Sequence, residues 1–201
     1  MAKVSVGRAF TGLTTLAGKI LETGYEMRWI AFAILLYLVT VLQTTVAPFI
    51  ALHTIRPDFM VILAVYYALL ARQQDAPLAC WCIGLAVDLT TISYTDYANV
   101  GVHAFSLGFI GLIVCKVREL TFRESALTQL IFSFLAKLIL ASLVGLHMLY
   151  VMGEWDRLGE TVVTAVWGAV YTAVLAPYGH WILCRLRTVL GVGVPQRLPV
   201  R

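Results

Sequence analysis

Long apolar runs recur along nearly the whole of this chain, and they constrain its fold more than any other feature. Each run reaches or approaches the ~20 residues that an α-helix needs to cross a ~30 Å hydrocarbon core. The runs lack the period-two alternation of a membrane β-barrel. The sequence therefore predicts an all-α polytopic membrane protein with a bundle of six transmembrane helices, at Trp29 to Leu52, Pro57 to Ala71, Pro77 to Ser93, Val100 to Cys115, Ala126 to Met152 and Thr161 to Cys184.

The composition excludes an ordinary soluble domain. Hydrophobic residues make up 60% of the chain and charged residues 13%, whereas soluble domains carry ~25% charged residues. No interval between the apolar runs is long enough for a second core. We expect a cytoplasmic amphipathic segment at residues 1–28, with a floppy tail as the alternative, then a membrane domain at 29–184 and a basic cytoplasmic tail at 185–201.

The basic residues predict the orientation of the helices, because loops that carry Lys and Arg are retained in the cytoplasm. With the N-terminus inside, only Arg56 and Arg157 fall on the outer side and Lys137 falls within the membrane. All other Lys and Arg residues then face the cytoplasm, as do both chain ends. The net charge of +4 follows from these loops, so anionic lipid is the expected partner and nucleic acid is not.

Motifs for catalysis are missing from the sequence. There is no phosphate-binding loop, zinc-protease motif, nucleophile elbow or dinucleotide fingerprint. The cysteines lie in or beside apolar runs without a Cys-x-x-Cys pair, which favours packing roles, and the histidines lie near predicted helix ends, which favours interfacial or packed roles. We expect no enzyme activity, catalytic residue, metal or cofactor; the residues concerned are Cys80, Cys82, Cys115, Cys184, His53, His103, His147 and His180.

Two charged residues, Asp88 and Lys137, fall inside predicted helices. A charge at the middle of a membrane helix costs ~2.5–3.5 kcal/mol unless it is paired or hydrated. Both helices run outward, which places Asp88 about 18 Å and Lys137 about 16 Å from the inner face. The two side chains could therefore pair with each other, or each could hydrogen-bond to nearby polar groups.

Small residues recur at intervals of four on several predicted helices, a pattern that lets membrane helices approach closely. Such ridges indicate internal packing more often than a partner interface. The glycines singled out for one of these two roles are Gly84, Gly101, Gly108, Gly111 and Gly168.

The second predicted helix is short, about 22 Å from Asp58 to Arg72. It begins at Arg56-Pro57-Asp58, where proline suits a first helical turn. Either the bilayer thins there, or the first loop forms a polar cavity at the outer face. We consider this motif a candidate contact for a partner protein.

Three segments together resemble the rod shape-determining protein MreD family: an R-P-D that opens an apolar helix, a G-L-x-x-D-L at the end of the next, and a glycine-containing helix closed by basic residues. His103 departs from this pattern, which favours a small or apolar residue there. The first two segments are Ile55-Arg56-Pro57-Asp58-Phe59-Met60-Val61-Ile62-Leu63 and Gly84-Leu85-Ala86-Val87-Asp88-Leu89. The third begins with Gly101-Val102-His103-Ala104-Phe105-Ser106-Leu107-Gly108 and closes with Lys116-Val117-Arg118.

The resemblance implies a multi-pass protein of the bacterial inner membrane that serves as a non-catalytic scaffold of the cell-elongation machinery and supports peptidoglycan synthesis. It implies binding to the bitopic protein MreC and, through it, to MreB, RodA and its class B transpeptidase. It also implies a bundle similar to the substrate-binding subunits of energy-coupling-factor transporters. Such a transporter subunit is the alternative function; the three motifs favour the scaffold, as does the lack of polar and aromatic residues converging on one outer pocket.

Overall fold

A computed structural model describes residues 28–52, 55–91, 101–118, 125–153, 155 and 158–192. Within these residues the only β-pairing is an isolated bridge between Leu52 and Ile55, so the predicted all-α class is confirmed. The predicted N-terminal segment and the end of the predicted tail lie outside the described residues. The helices are α1 (Trp29–Thr45), α2 (Phe59–Leu70), α3 (Asp75–Thr91), α4 (Val102–Val117), α5 (Ala126–Met152), α6 (Leu158–Arg185) and α7 (Arg187–Leu190).

Both ends of the described chain lie at one end of the bundle, which we call the termini end. The amide of Arg28 donates to the carbonyl of Leu190 across 3.3 Å. The hydroxyl of Tyr66, near the end of α2, donates to Leu183 O near the end of α6 across 3.1 Å. We call the opposite end, where α6 begins, the distal end.

Helix α2 is the central helix of the bundle. Every residue from Met60 to Leu69 is buried, and the helix contacts α1, α3, α4, α5 and α6. Its 12 residues span about 18 Å. Because the other helices enclose it, α2 need not match the thickness of the bilayer, and this explains the short second run in the sequence.

The guanidinium of Arg118 closes the end of α2. It is buried and donates through Nη1 to Ala68 O at 2.8 Å and to Ala71 O. Two carbonyls at the end of α2 thereby gain a charged hydrogen-bond donor. Without Arg118, water would have to supply these hydrogen bonds. Arg118, expected as an orienting charge in a cytoplasmic loop, is therefore also part of the core.

Helices α3 and α4 pack closely through glycine. A Cβ atom added to Gly84 would lie 2.4 Å from His103 O and 2.5 Å from Ala104 Cα, and one added to Gly111 would lie 2.8 Å from Cys80 Sγ. Both glycines therefore lie in tight contacts between α3 and α4 inside the protein. Gly101 differs, because its φ of +98° belongs to the left-handed region that favours glycine, and a Cβ there would meet no atom within 4 Å.

The outer helices expose apolar side chains, as a surface in contact with lipid requires. Two helices, Ala126–Val151 and Leu158–Arg185, are long and apolar enough to cross a membrane. Three further helices are apolar but shorter, namely Trp29–Thr45, Phe59–Leu70 and Val102–Val117. Exposed residues of this kind include Ile30, Tyr37, Phe105, Tyr150, Trp167 and Trp181.

Candidate functional site

A partly open cavity of about 520 Å³ lies toward the distal end of the bundle, above the start of α2. Apolar side chains of α2, α4 and α5 form much of its wall, and charged and hydroxyl side chains share the lining. Its polar and charged lining residues are Arg56, Asp58, His103, Lys137, Glu160, Thr161 and Thr164.

An ion pair forms part of this lining. Lys137 Nζ on α5 lies 2.6 Å from Asp58 Oδ2, and the two side chains are 20% and 17% exposed. Asp58 also caps α2, because its Oδ1 accepts a hydrogen bond from the amide of Val61 at 3.2 Å. Gly168 on α6 faces the lysine side chain, since a Cβ added there would lie 3.9 Å from Lys137 Cε. The pair thus joins α2 to α5 near the middle of the bundle.

Two uncharged polar residues complete the start of α2. Gln43 of α1 accepts from the amide of Phe59 at 2.8 Å through Oε1 and donates to Pro57 O at 3.2 Å through Nε2. Thr172 of α6 accepts from the amide of Asp58 at 3.2 Å through Oγ1. In a bilayer, free backbone groups need such internal partners. Sequence reasoning missed Gln43, although a lone amide in an apolar run was a usable signal.

A second carboxylate inside the helix bundle, that of Asp88, caps α4. It is buried and accepts from the amide of Ala104 at 2.9 Å and the amide of His103 at 3.2 Å. The imidazole Nδ1 of His103 lies 2.9 Å from Asp88 Oδ1. Gly84, one turn before Asp88 on α3, makes room for this first turn of α4. The G-L-x-x-D-L segment is therefore a helix-packing and helix-capping motif.

Of the two alternatives for Asp88 and Lys137, the direct pair is not formed, and each residue has another partner. Counting residues along each helix predicted a similar depth for the two charges. The lateral arrangement of the helices nevertheless separates them. Lys137 meets Asp58 because α2 begins beside the middle of α5, and Asp88 meets His103 because α4 begins beside it. The expectation that no polar residues converge on one pocket is also wrong, since a single cavity collects them.

The R-P-D motif is divided between two environments. Arg56 is exposed and lines the cavity, Pro57 is buried, and the carboxylate of Asp58 is occupied by Lys137 and by the α2 cap. The structure has a polar cavity at this motif, but helices α5 and α6 contribute more of its described lining than the first loop does.

The cysteine and histidine side chains in the described part of the chain are dispersed. No group of three or more His, Cys, Asp or Glu side chains there could hold a metal ion. The four cysteines are free thiols, with Cys80 and Cys115 buried. The cavity brings together charges and hydroxyls, an arrangement that can bind a polar group.

Comparison with known proteins identifies the family. The family model for rod shape-determining protein MreD matches residues 24–185. This range includes helices α1 to α6 and every described residue of the cavity lining. A search of the curated proteins and a search of the solved structures found no match. With the R-P-D motif at the start of the central helix and the G-L-x-x-D-L motif capping α4, the chain belongs to the MreD family of rod shape-determining membrane proteins.

Proposed function

We propose that this protein is a non-catalytic scaffold of the bacterial cell-elongation machinery and that it binds an MreC-like bitopic partner through the surface of α3 and α4. Membership of the MreD family carries the role in rod-shape determination. The partner, and an indirect link through it to MreB, RodA and its class B transpeptidase, are the parts that we infer. The family match leaves the transporter-subunit alternative without support.

One observation favours the α3–α4 surface as the partner site. A shallow apolar groove runs along it, and Gly108 lies at the bottom between Trp81 and two stacked rings, Phe105 and Phe109, whose centroids are 6.4 Å apart. Unlike Gly84 and Gly111, Gly108 is not crowded. A Cβ atom added to it would lie 3.5 Å from the nearest atom, on the side chain of Trp81. A glycine-floored groove with exposed aromatic walls suits the close approach of one added transmembrane helix.

The partner site can be tested with Gly108→Leu. The leucine side chain would fill the groove, so we expect recovery of the co-expressed partner by affinity purification to fall at least tenfold. Gly108→Ala should keep most of the recovery because the methyl group fits at ordinary contact distance. Gly159→Leu is the matched control, since a Cβ there meets no atom within 4 Å. Unchanged recovery with a well-folded Gly108→Leu protein would exclude the groove.

The R-P-D motif contributes differently from what its sequence suggested. Because Lys137 and the α2 cap occupy the carboxylate of Asp58, a loss of partner after Asp58→Ala would report on folding as well as on contact. Arg56 is the member of the motif whose side chain is exposed, and it lines the cavity. Its guanidinium makes no ion pair within the described residues.

We further propose that the chain crosses the inner membrane six times, at α1 to α6, with both chain ends in the cytoplasm and the cavity opening outward. Lys and Arg cluster toward the termini end, where Arg185 stacks on the Trp181 ring at 4.6 Å, an arrangement that suits anionic lipid at the inner surface. The likeness of the bundle to energy-coupling-factor subunits stays a prediction from the resemblance.

Reporter fusions test this topology. Fusions after Asp75, Glu124 and Arg201 should report the cytoplasm, because each follows an even number of crossings. Fusions after His53, Asp96 and Arg157 should report the outer side. Reversed signals at any two of these six positions would contradict the six-crossing arrangement.

A further inference from the structure

Among the residues that the structure describes, the charges that line the distal cavity balance one another. Two cations, Arg56 and Lys137, and two anions, Asp58 and Glu160, contribute to the same lining. Lys137 and Asp58 neutralise each other at 2.6 Å, and the imidazole of His103 is engaged by Asp88. Arg56 and Glu160 remain, and within the described residues neither forms an ion pair. Among the described lining residues, the cavity therefore offers one cation and one anion that are outside any ion pair.

This balance selects the charge type of a ligand. A simple anion would be attracted by Arg56 but repelled by Glu160, and a simple cation would be attracted by Glu160 but repelled by Arg56. A molecule that carries both charges can pair with both residues. Guanidinium binds phosphate or carboxylate in bidentate geometry. A glutamate carboxylate accepts hydrogen bonds and therefore prefers an ammonium group that still carries N–H donors.

The size and wall of the cavity agree with a small ligand. Its volume of about 520 Å³ falls in the ~300–1,000 Å³ range of small-molecule sites, which combine apolar walls with a few polar groups that set orientation. Met60, Leu107, Leu140 and Val144 supply the apolar wall. The hydroxyl of Thr164 adds a polar contact for the ligand. The acyl chains of a lipid would stay outside this volume, so only a head group would enter.

We propose that the distal cavity binds a zwitterion made of a phosphate or carboxylate and a primary ammonium, held between Arg56 and Glu160. Two sources share this chemistry: the phosphoethanolamine head group of a membrane phospholipid, and a free small zwitterion. This binding goes beyond scaffolding, because it needs no partner protein, and it can therefore fail while the scaffold role stands.

The first test uses the purified full-length protein in nanodiscs of defined lipid. With phosphatidylethanolamine we expect Tm to rise by about 5 °C relative to phosphatidylcholine, the size expected of a ligand well above its Kd. Phosphatidylcholine lacks N–H donors and phosphatidylglycerol lacks the cation, so neither should give this rise. Native mass spectrometry should show one retained phosphatidylethanolamine. Soluble phosphoethanolamine added to ethanolamine-free nanodiscs separates the two sources. A rise in Tm there without a rise in phosphatidylethanolamine nanodiscs points to a free zwitterion, and a rise in phosphatidylethanolamine nanodiscs points to the lipid.

Variants locate the effect in the cavity. Arg56→Gln and Glu160→Gln should each weaken binding about tenfold, the loss expected from one charged hydrogen bond. Lys116→Gln, an exposed change at the termini end, should leave binding unchanged. Equal Tm in all three lipids with no response to phosphoethanolamine, or an ethanolamine effect that survives in both cavity variants, would overturn the proposal.

Discussion

Changing Lys137 to methionine is expected to lower the free energy of unfolding by about 2–3 kcal/mol. Breaking a fully buried ion pair costs ~3–5 kcal/mol because one charge stays behind without a partner, and partial exposure to the cavity reduces that cost. Asp58→Asn should cost a similar amount for the same reason. Asparagine preserves the cap on α2, since its carbonyl oxygen can still accept from the amide of Val61. Thermal unfolding in detergent measures both changes.

The double variant separates the ion pair from other causes. Asp58→Asn with Lys137→Met leaves no unpaired charge, so its loss should be clearly smaller than the sum of the two single losses. Lys116→Met is the matched control for a lysine that is exposed at the termini end, and it should change stability by less than about 0.5 kcal/mol. Strictly additive losses would show that the two side chains do not depend on each other.

Asp88→Ala should destabilise the protein by about 3–4 kcal/mol, since it leaves buried donors without an acceptor. The amides of His103 and Ala104 and the imidazole of His103 all use this carboxylate. Asp88→Asn should fall between the wild type and Asp88→Ala, because it keeps one acceptor oxygen but turns an amide N–H₂ group toward a donor. Hydrogen exchange at the first turn of α4 should quicken more than exchange in α5.

Asp75 provides the comparison for this second prediction. It lies in the first turn of the same helix, α3, and is only partly buried. Asp75→Ala should therefore cost less than about 1 kcal/mol. Equal losses for Asp75→Ala and Asp88→Ala would contradict the capping role of Asp88.

The sequence predicted the individual helices better than it predicted the contacts between them. The bounds of α5 agree with the apolar run from Ala126 to Met152, because a long hydrophobic segment is a local property. Helix α1 ends earlier than its run predicted, at Thr45, since Pro48 follows and cannot donate to a continuing helix. Gly101, Gly108 and Gly111 were singled out together for packing or a partner interface, yet they have three different environments at and within α4.

The sequence by itself determined that this protein is helical, that its solvent is a bilayer and that a few charges must lie inside it, because these properties depend on composition and on spacing along one helix. Only the tertiary structure decided which charges meet. Asp58 pairs with Lys137 because α2 starts beside the middle of α5. Asp88 caps α4 because α4 starts beside Gly84. Lateral helix order sets those contacts, and side chains such as Gln43 and Thr172 take part with no motif of their own. Helix spacing along the chain carries no information about which neighbours stand side by side, and so the cavity emerged only from the packed bundle.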